Sequence, residues 1–378
     1  MPDPFVVTPL DHRQVADRRR FIRVAYDVYR HDRNWVAPLE SELQGVLRPE
    51  NPFYQHAHIQ LWVVSQGGRD LGRIAAIEDA AHNQLHRERT AFFGFFECRR
   101  EPAAAAALFA AATDWARARG LDRLRGPMNP SINDECGLLI EGFQSPPVLM
   151  MTYNPDYYVG LVEAAGFQKV KDLLAFRVAV SEAPAERLNR LRARFLARNP
   201  ELSLRPVTFK TLTTDVPLIK QVYNEAWERN WGAVPLSDLE IDFLVERLKP
   251  LLREGLVWLT ERRGQAVGFL LALPDFNVAL QPLRGRLCSL GLLRAAPYVL
   301  GWRQPAGMRL VALGVRQEYR GRGIEAAMLA ETLTASRRLG FAECEAGWVL
   351  EDNTAVRRVI AVFGGRPYKT YRLYERMH

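Results

Sequence analysis

Length, composition and charge exclude several classes of protein before any motif is considered. The chain has 378 residues, of which 48% are hydrophobic and 25% charged, as in ordinary globular proteins, and this length favours two domains. Its 51 Lys and Arg against 43 Asp and Glu give a net charge of +8, which favours an anionic partner such as a phosphorylated cofactor, nucleic acid or a membrane surface. No stretch reaches the roughly 18–20 apolar residues of a membrane span, and the first residues show no basic segment followed by an apolar run, so we expect a cytoplasmic protein.

The N-terminal half predicts several strands and then a long helix. Strand-like apolar runs occupy residues 58–66, 70–79 and 90–99. An alanine-rich segment predicts a helix from Pro102 to Arg119, which Gly120 closes. A strand, a helix and a terminal strand follow, so this half mixes helices with strands.

A polar, proline-rich segment interrupts the end of this half, with the sequence "GPMNPSINDECGLLIEGFQSPPVLMMTYNPDYY" at residues 126–158. Its asparagines and carboxylates are too polar for a core, and its prolines favour an extended loop. For any single residue the plainer interpretation is an Asx-type turn with a solvated carboxylate. As a group, these side chains are candidates for a functional loop.

Residues 181–200, between the two halves, predict a basic linker helix. Leu188, Leu191 and Phe195 recur on one face, which predicts that the helix packs against one of the domains.

The C-terminal half repeats the order of elements. It predicts, in chain order, helices at 216–230 and 236–252, strands at 256–263, 266–275 and 308–315, a helix closed by Gly340, a strand at 342–350, a helix at 353–363 and a strand at 367–376. Both halves end in a helix, a glycine and a strand, which indicates an internal duplication.

The strand at 308–315 runs into "RQEYRGRGIEAAML", where a turn with two glycines precedes a helix. Gly321 and Gly323 allow a tight turn, and the first N–H groups of the helix then point back at it, which makes an anion site. Arg320 and Arg322 strengthen this interpretation. Glu325, however, places a carboxylate in the first turn of the helix.

This segment resembles the pyrophosphate-binding loop of the GNAT superfamily of acyl-CoA N-acyltransferases. "VRQEYRGRGI" is similar to that loop, and "EDNTAVRRVIAVFGG" is similar to the family's next strand–helix segment. The resemblance spans residues 256–374 and is only topological in the first half, where "CRREPAAAAAL" replaces the glycine turn. It implies an α/β (α+β) fold of two tandem GNAT-like domains, each a mixed, mostly antiparallel sheet flanked by helices. We expect a degenerate N-terminal domain at 1–180, the linker helix at 181–200 and a C-terminal GNAT domain at 201–378.

The resemblance also implies the donor substrate, acyl-CoA. Its expected binding residues are Val315, Arg316, Arg320, Gly321, Arg322, Gly323, Ile324 and Asn353. The family pattern has Gly or Ala at position 325, and a carboxylate close to a pyrophosphate costs about 1 kcal/mol or more unless it points away or pairs with an arginine. We expect the backbone donors and arginines to outweigh Glu325; a degenerate module that binds no CoA is the alternative.

GNAT-type transfer requires a base for the amine, a polarised thioester and an acid for the thiolate. By resemblance the acid is often a tyrosine seven residues after the asparagine, a position that is Ile360 here, and the strand at 308–315 has no carboxylate. We therefore expect Asp134 or Glu135 to be the base. The candidate acids are three tyrosines of the last strand, Tyr368, Tyr371 and Tyr374, of which we select Tyr371. Tyrosines in such a strand are more often packing residues.

The acceptor site is expected from the polar loop and from two segments of the second half. "NEAWERNWGAVPL" occupies the place of the GNAT acceptor site, and "LPDFN" ends a strand at the cleft edge, both by resemblance; a buried Trp with a capping Asn is the plainer account of the first. The expected substrate-binding residues are Asn129, Asn133, Glu228, Trp231, Asp275 and Asn277.

A basic apolar insertion at 278–305 points to the acceptor's chemistry. Residues 276–317 contain no Asp or Glu, and arginines are interspersed among the leucines there. This composition is typical of an interfacial segment on an anionic membrane surface, although a helical hairpin covering the core has the same composition. It favours a lipid-like primary amine over a small polar acceptor.

The overall layout is similar to a bacterial group that includes the ceramide-synthase type of N-acyltransferase. That resemblance implies transfer of a long acyl chain from CoA to a sphingoid base, giving a (dihydro)ceramide-type amide. A Fem-like aminoacyl transferase and a small-amine acetyltransferase are the alternative enzymes, and a sensor or scaffold is the alternative outside enzymes. We expect no nucleic acid partner.

Cysteine and histidine spacing predicts no metal site. The four cysteines show no CxxC spacing and are expected to be reduced thiols: Cys98, Cys136, Cys288 and Cys344. The pairs His56/His58 and His82/His86 lack an evident third ligand.

Overall fold

A computed structural model describes residues 3–182, 185–228, 230–287 and 290–378. The chain divides into two compact units. Unit 1 comprises Met1–Leu173, Ala279–Ala295 and Lys369–His378, and unit 2 comprises Leu174–Val278 and Ala296–Tyr368. Each unit therefore draws on both halves of the chain.

The strands are numbered along the chain. They are β1 (Val6–Leu10), β2 (Ala57–Gln66), β3 (Arg69–Asp79), β4 (Thr90–Cys98), β5 (Arg123–Gly126), β6 (Met128–Asn129), β7 (Glu135–Cys136), β8 (Leu138–Glu141), β9 (Gln168–Ala179), β10 (Leu202–Pro206), β11 (Val257–Arg262), β12 (Gln265–Pro274), β13 (Gly307–Val315), β14 (Glu343–Leu350) and β15 (Arg366–Met377).

The α-helices are numbered in the same way. They are α1 (Val15–Val28), α2 (Glu40–Leu47), α3 (Ala80–His86), α4 (Pro102–Ala118), α5 (Tyr157–Ala164), α6 (Ala185–Arg198), α7 (Leu212–Trp227), α8 (Asp238–Leu248), α9 (Asn277–Leu280), α10 (Leu292–Val299), α11 (Ile324–Leu339) and α12 (Thr354–Val362). Short 3₁₀ turns lie at Pro52–Gln55, Val180–Glu182, Lys249–Leu251, Gln281–Leu283 and Gln317–Tyr319.

The sheet of unit 1 has the order β1-β2-β3-β4-β5-β15, and β8 also pairs with β15. Neighbours are antiparallel except β4 and β5, which are parallel. Successive residues of β2 alternate between two cores, because side chains alternate along a strand. Trp62 and Val64 pack with α4, whereas Leu61 and Val63 pack with α1.

The sheet of unit 2 has the order β9-β14-β13-β12-β11-β10, of which β13 and β14 are parallel. One face packs against α6, α11 and α12, and the other against α7. Local signals fix the helix ends. Ser237 and Glu240 form a capping box at the start of α8, and Gly340 ends α11 in the left-handed conformation.

Two strands change unit partway. β9 begins in unit 1 and continues in unit 2 from Leu174, whereas β15 begins in unit 2 and continues in unit 1 from Lys369. Residues 369–378 therefore complete the sheet of unit 1.

The expected α/β fold is confirmed, as is the repeated ending of the two halves, helix α5 with β9 and helix α12 with β15. The predicted helix between the halves is α6, whose Leu188 and Phe195 are buried in the core of unit 2. Cys98, Cys136 and Cys344 are buried thiols without a disulfide among the described residues, and Cys288 lies outside those residues.

Candidate functional site

The loop between β13 and α11 presents a row of backbone donors. Gly321 and Gly323 have φ values of +77° and +84°, which residues with a side chain rarely adopt. Within the described residues, the N–H groups of residues 321–326 donate to no protein acceptor, and the first backbone bond after them runs from Ala327 to the Gly323 carbonyl. Unpaired N–H groups at a helix N-terminus suit an anion such as a pyrophosphate.

The three arginines around this loop each have a protein partner. Arg320 donates to the carbonyls of Val315 (3.2 Å) and Ala226 (2.8 Å). Arg316 lies 3.1 Å from Glu225, and Arg322 donates to Glu201 at 2.9 Å. In this structure Arg320 therefore ties the loop to the end of α7, and the backbone supplies the unoccupied donors.

Glu325 is half-buried in the first turn of α11. It has no hydrogen bond or ion pair with any described residue, and Arg322 is paired with Glu201 instead. Ile324, which precedes it, is fully buried in the core of unit 2, and Val315 at the end of β13 is also buried. These two apolar residues fix the ends of the loop from inside.

The parallel strands β13 and β14 separate beside this loop. They pair from Gly307 with Glu343 to Leu310 with Ala346, and no further pairing between them occurs among the described residues, although β13 continues to Val315 and β14 to Leu350. The pairing of β12 with β13 shifts register at the same level. The result is an opening in the sheet of unit 2, which we call the strand opening; it leads to the glycine loop.

Two features border the strand opening. A side-chain carbon added at Gly314 would lie 2.6 Å from the Trp227 ring, so only glycine lets α7 approach β13 this closely. Asn353 follows β14 and caps α12, because its Oδ1 accepts from the Val356 N–H at 3.2 Å. The described contact of Asn353 is thus a helix cap.

The equivalent place in unit 1 is filled by the chain itself. β4 and β5 pair only from Thr90 to Phe92, and the Met128 carbonyl then lies so close to Gly94 that no side chain would fit there. The Asn129 Oδ1 accepts from the N–H of Phe95 at 2.6 Å. Asn129 therefore closes the bulge of β4, a backbone role.

The polar loop of unit 1 is closed by its own hydrogen bonds. The Ser131 hydroxyl donates to Asp134 at 2.7 Å and accepts from the Asn133 N–H at 3.2 Å. Glu135 is exposed on β7, opposite Asn129. Burial, and then the charge of Asp134, raises the pKa of Tyr54 well above its usual range, so the Tyr54 hydroxyl stays protonated beside this loop.

Tyr371, predicted as an acid, lies in unit 1 on β15, opposite Leu139 of β8. It has no exposed surface, and its Cβ lies against Gly137.

The predicted acceptor residues of the second half lie in two places in unit 2. Glu228 is exposed at the end of α7, and Trp231 is half-buried in the following loop, which Asn224 holds through hydrogen bonds to Leu236. Asp275 and Asn277 follow β12, where the Asn277 N–H donates to the Asp275 carboxylate at 3.2 Å.

Sequence reasoning missed a buried carboxylate on β14. Glu345 is 4% exposed and accepts a hydrogen bond from the Tyr368 hydroxyl. Its register partner on β13 is Arg309, which is also buried. Burial, and then the charge of Glu345, raises the pKa of the neighbouring Cys344 to about 12, so this thiol is not a nucleophile. One signal in the sequence could have indicated it: Glu345 lies inside the mostly apolar segment "ECEAGWVL", where a buried carboxylate is unusual.

The described residues contain neither a cluster of metal-ligand side chains nor a membrane-spanning helix. Among the described residues, no three His, Cys, Asp or Glu side chains are grouped so that they could hold a metal ion. In the same part of the chain, no helix has the length and hydropathy to cross a membrane.

Two curated proteins are similar to this chain over nearly its whole length. Residues 217–364 match the Acetyltransferase (GNAT) family. The bacterial ceramide synthase of Caulobacter vibrioides (strain NA1000 / CB15N) is 35% identical over 371 residues, 96% of this chain and 95% of that protein. Protein YghO of Escherichia coli (strain K12) is 32% identical over 372 residues, 95% of this chain and 93% of that protein.

Solved structures share the fold at low identity. A tandem GNAT protein from the clavulanic acid biosynthesis pathway has a TM-score of 0.60 at 15% identity, covering 99% of this chain and 98% of that chain. A GCN5-related N-acetyltransferase from Sphaerobacter thermophilus has a TM-score of 0.54 at 15% identity, covering 100% and 96%.

Proposed function

The chain belongs to the GNAT family and is an acyl-CoA-dependent N-acyltransferase, and from this premise we propose that it acylates a long-chain sphingoid base to give a (dihydro)ceramide-type amide. The proposal combines a donor site in unit 2 with a lipid-like amine as acceptor. Whole-chain similarity to a protein named bacterial ceramide synthase supports this choice of acceptor.

The observation that carries the lipid part of the proposal is the exposure of the large apolar side chains of residue 287 and residues 290–302. Leu290 is 90% exposed, Trp302 79% and Leu293 77%, values that are unusual for large apolar side chains in water. Arg294 within this stretch and Arg284 and Arg286 just before it are also exposed. Apolar side chains flanked by cations suit the interface of an anionic membrane, where a sphingoid base resides.

The donor part rests on the unpaired N–H groups of residues 321–326 beside the strand opening of unit 2. In unit 1, Met128 and Asn129 fill the corresponding place, and its loop after β4 has no glycine. We therefore assign CoA binding to unit 2. We propose the same CoA-binding residues that the sequence predicts. Among them, Arg320 acts indirectly, because its side chain holds the backbone of the loop in place.

Calorimetry with CoA tests the donor site. Gly323→Asp should abolish binding, because it adds a carboxylate and a side chain to a left-handed position of the anion loop. Gly264→Asp is the matched control, since Gly264 also has a positive φ, +80°, but lies in the turn between β11 and β12. Undiminished binding by Gly323→Asp, or no binding of any CoA species by the wild type, would contradict the assignment.

A substrate panel tests the reaction. Purified protein is incubated with acetyl-CoA, palmitoyl-CoA or aminoacyl-tRNA as the donor and with sphinganine or spermidine as the acceptor, and the amides are identified by mass spectrometry. We expect palmitoyl-CoA with sphinganine to give the main product. Transfer to spermidine or from aminoacyl-tRNA, without acylation of sphinganine, would favour the alternative enzymes and overturn the acceptor.

The base predicted from the sequence has its own test. If Asp134 or Glu135 accepts the amine proton, Asp134→Asn or Glu135→Gln should lose turnover while CoA binding stays unchanged. The same assay applies to Tyr371→Phe for the predicted acid. Full activity in all three variants would remove these residues from the mechanism.

A further inference from the structure

Glu345 and Tyr368 form a polar pair in unit 2 that the function above does not use. The Tyr368 hydroxyl donates to Glu345 Oε2. Glu345 is buried, whereas Tyr368 is only half-buried, so the pair connects the interior of unit 2 with its surface. The Arg177 guanidinium lies 4.5 Å from the centre of the Tyr368 ring and 3.4 Å from Glu343.

The pair lies at the closed end of the strand opening. Glu345 is in register with Arg309, one residue before Leu310 and Ala346 make the last pairing of β13 with β14. The Arg309 side chain donates to the carbonyl of Gly347 at 3.0 and 3.2 Å, which anchors the first residue of β14 beyond the pairing. Glu345 therefore stands where the two strands begin to separate.

The distance from the anion loop suits an extended CoA arm. The part of β13 that pairs with β12 but not with β14, residues 311–315, spans about 17 Å at the usual strand rise. An extended pantetheine arm has a similar length and carries amide groups that can pair with a free strand edge. With its pyrophosphate at residues 321–326, the thioester would reach the level of Glu345.

The side of the sheet also suits an incoming amine. Cys344 and Ala346, the neighbours of Glu345, are buried in the core with α11, so the alternation of the strand directs Glu345 to the other face. That face packs against α7, which precedes the loop holding the predicted acceptor residue Trp231.

We propose that Glu345 and Tyr368, in place of the base and acid predicted from the sequence, are the acid–base pair of the acyl transfer, an inference that rests on the proposed function. Glu345 removes a proton from the substrate ammonium group, and the free amine forms the new C–N bond at the thioester carbon. The C–S bond breaks as the tetrahedral intermediate collapses. The phenol of Tyr368 protonates the leaving thiolate and regains a proton from Glu345, while the second amine proton passes to solvent.

The test uses the full chain with Glu345→Gln and Tyr368→Phe, which keep the shape of each side chain. Each should lower kcat by about 100-fold or more, with the CoA affinity unchanged in calorimetry. The kcat of the double variant should lie no more than about threefold below that of either single variant, because the two groups act as a unit. The wild-type rate should fall at low pH, and Glu345→Gln should lose this dependence, which a merely structural role would not affect.

Glu343→Gln is the matched control, since it removes a carboxylate two residues away on the same strand, and it should keep its activity within about twofold. If Glu345→Gln fails to fold, Tyr368→Phe, at a half-buried position, decides. All rates are measured with whichever panel amine the wild type acylates best. A loss of kcat in Glu345→Gln and Tyr368→Phe then supports the acid–base pair even if sphinganine is not the acceptor. Normal kcat in these variants overturns the pair even if sphinganine is the acceptor. A wild type that acylates no amine of the panel overturns both proposals.

Discussion

Glu325 adds a negative charge beside the glycine loop between β13 and α11, because it lies in the first turn of α11 and has no partner among the described residues. A carboxylate near a bound pyrophosphate is repelled, whereas a neutral amide is not. We expect Glu325→Gln to bind CoA about fivefold more tightly at low salt, from about 1 kcal/mol of relieved repulsion, with a smaller gain at high salt.

Calorimetry at two salt concentrations measures this effect. Glu246→Gln, which removes an exposed carboxylate of α8, corrects for the change in net charge. Equal affinities of Glu325→Gln and wild type at low salt would mean that the side chain points away from the phosphates.

His82 makes unit 1 sensitive to acid. Burial, and then the charge of His86, lowers the pKa of His82 to about 4, although its contact with Glu88 at 3.3 Å acts in the opposite direction. Its folded pKa is below the unfolded value of 6.5, so the unfolded chain binds more protons between pH 6.5 and 4, and stability falls as the pH falls through that range.

From pH 7 to pH 5, this residue alone should remove about 2 kcal/mol from the free energy of unfolding of unit 1. Hydrogen exchange of the β3 and β4 amides at both pH values measures the loss. His82→Gln should show a smaller loss, whereas the exposed His58→Gln should behave as wild type. An unchanged loss in His82→Gln would assign the acid sensitivity to other groups.

At the same scale, the sequence predicted the glycine loop but not Glu345. The loop was predictable because a left-handed turn before a helix demands glycine, a local requirement. Glu345 was not, because its burial depends on which strands flank β14, and that is decided by residues far along the chain.

Among the elements, the segment around α10 has the clearest expected behaviour. Replacing Arg284, Arg286 and Arg294 by Glu should release the protein from anionic vesicles, since each cation near the surface contributes about 1 kcal/mol. The matched control makes the same charge change on exposed positions of α6: Arg187, Arg190 and Arg194.

Flotation with phosphatidylserine vesicles separates the two triple variants. A second variant, Leu293→Asp with Trp302→Ser, tests the apolar contribution and should also reduce flotation. Equal flotation of all variants and wild type would show that this segment does not hold the protein at a membrane.

Helices and strands themselves were largely predictable, since their periodicity and end signals are local. The alanine-rich helix begins at Pro102 and ends before Gly120, as its residues indicate. The use of Asn129 was not predictable, because an asparagine in a polar loop gives no sign that it will cap a distant bulge at Phe95.

At the scale of the whole molecule, residues 369–377 of β15 join the sheet of unit 1, whose other strands all lie before residue 174. Tyr371, Leu373 and Tyr374 of β15 are at most 1% exposed. Burial of each contributes roughly 1.5–3 kcal/mol, which together approaches the total stability of many domains. Arg372 adds an ion pair with Asp172 at 2.8 Å.

We therefore expect residues 1–173 alone to lack a stable sheet, and the same fragment to gain one when residues 369–378 are joined to it through a flexible linker. Circular dichroism and hydrogen exchange of the β5 amides measure the difference, with a scrambled tail of the same composition as control. Equal protection with the native and scrambled tails would mean that β15 is dispensable for unit 1.

The sequence does not show that β9 and β15 each contribute to both units, because the two strands have the same alternating pattern and follow the same helix–glycine signal. A pattern of this kind specifies a strand but not its neighbour. The domain boundaries at 180 and 200 therefore stay a prediction. The two compact units are divided elsewhere, within β9 and within β15.

The position of β15 also imposes an order on synthesis. The ribosome makes β5 early, whereas the residues of β15 that pair with one of its edges, 374–377, are made much later. At about 5–20 residues per second, the roughly 200 residues after Leu173 take about 10–40 s to appear. Throughout that interval the nascent chain carries an open strand edge in unit 1, which is the kind of surface that recruits other chains. A message truncated before residue 369 would leave this edge permanently open, so residues 369–378 protect each copy of the protein against aggregation.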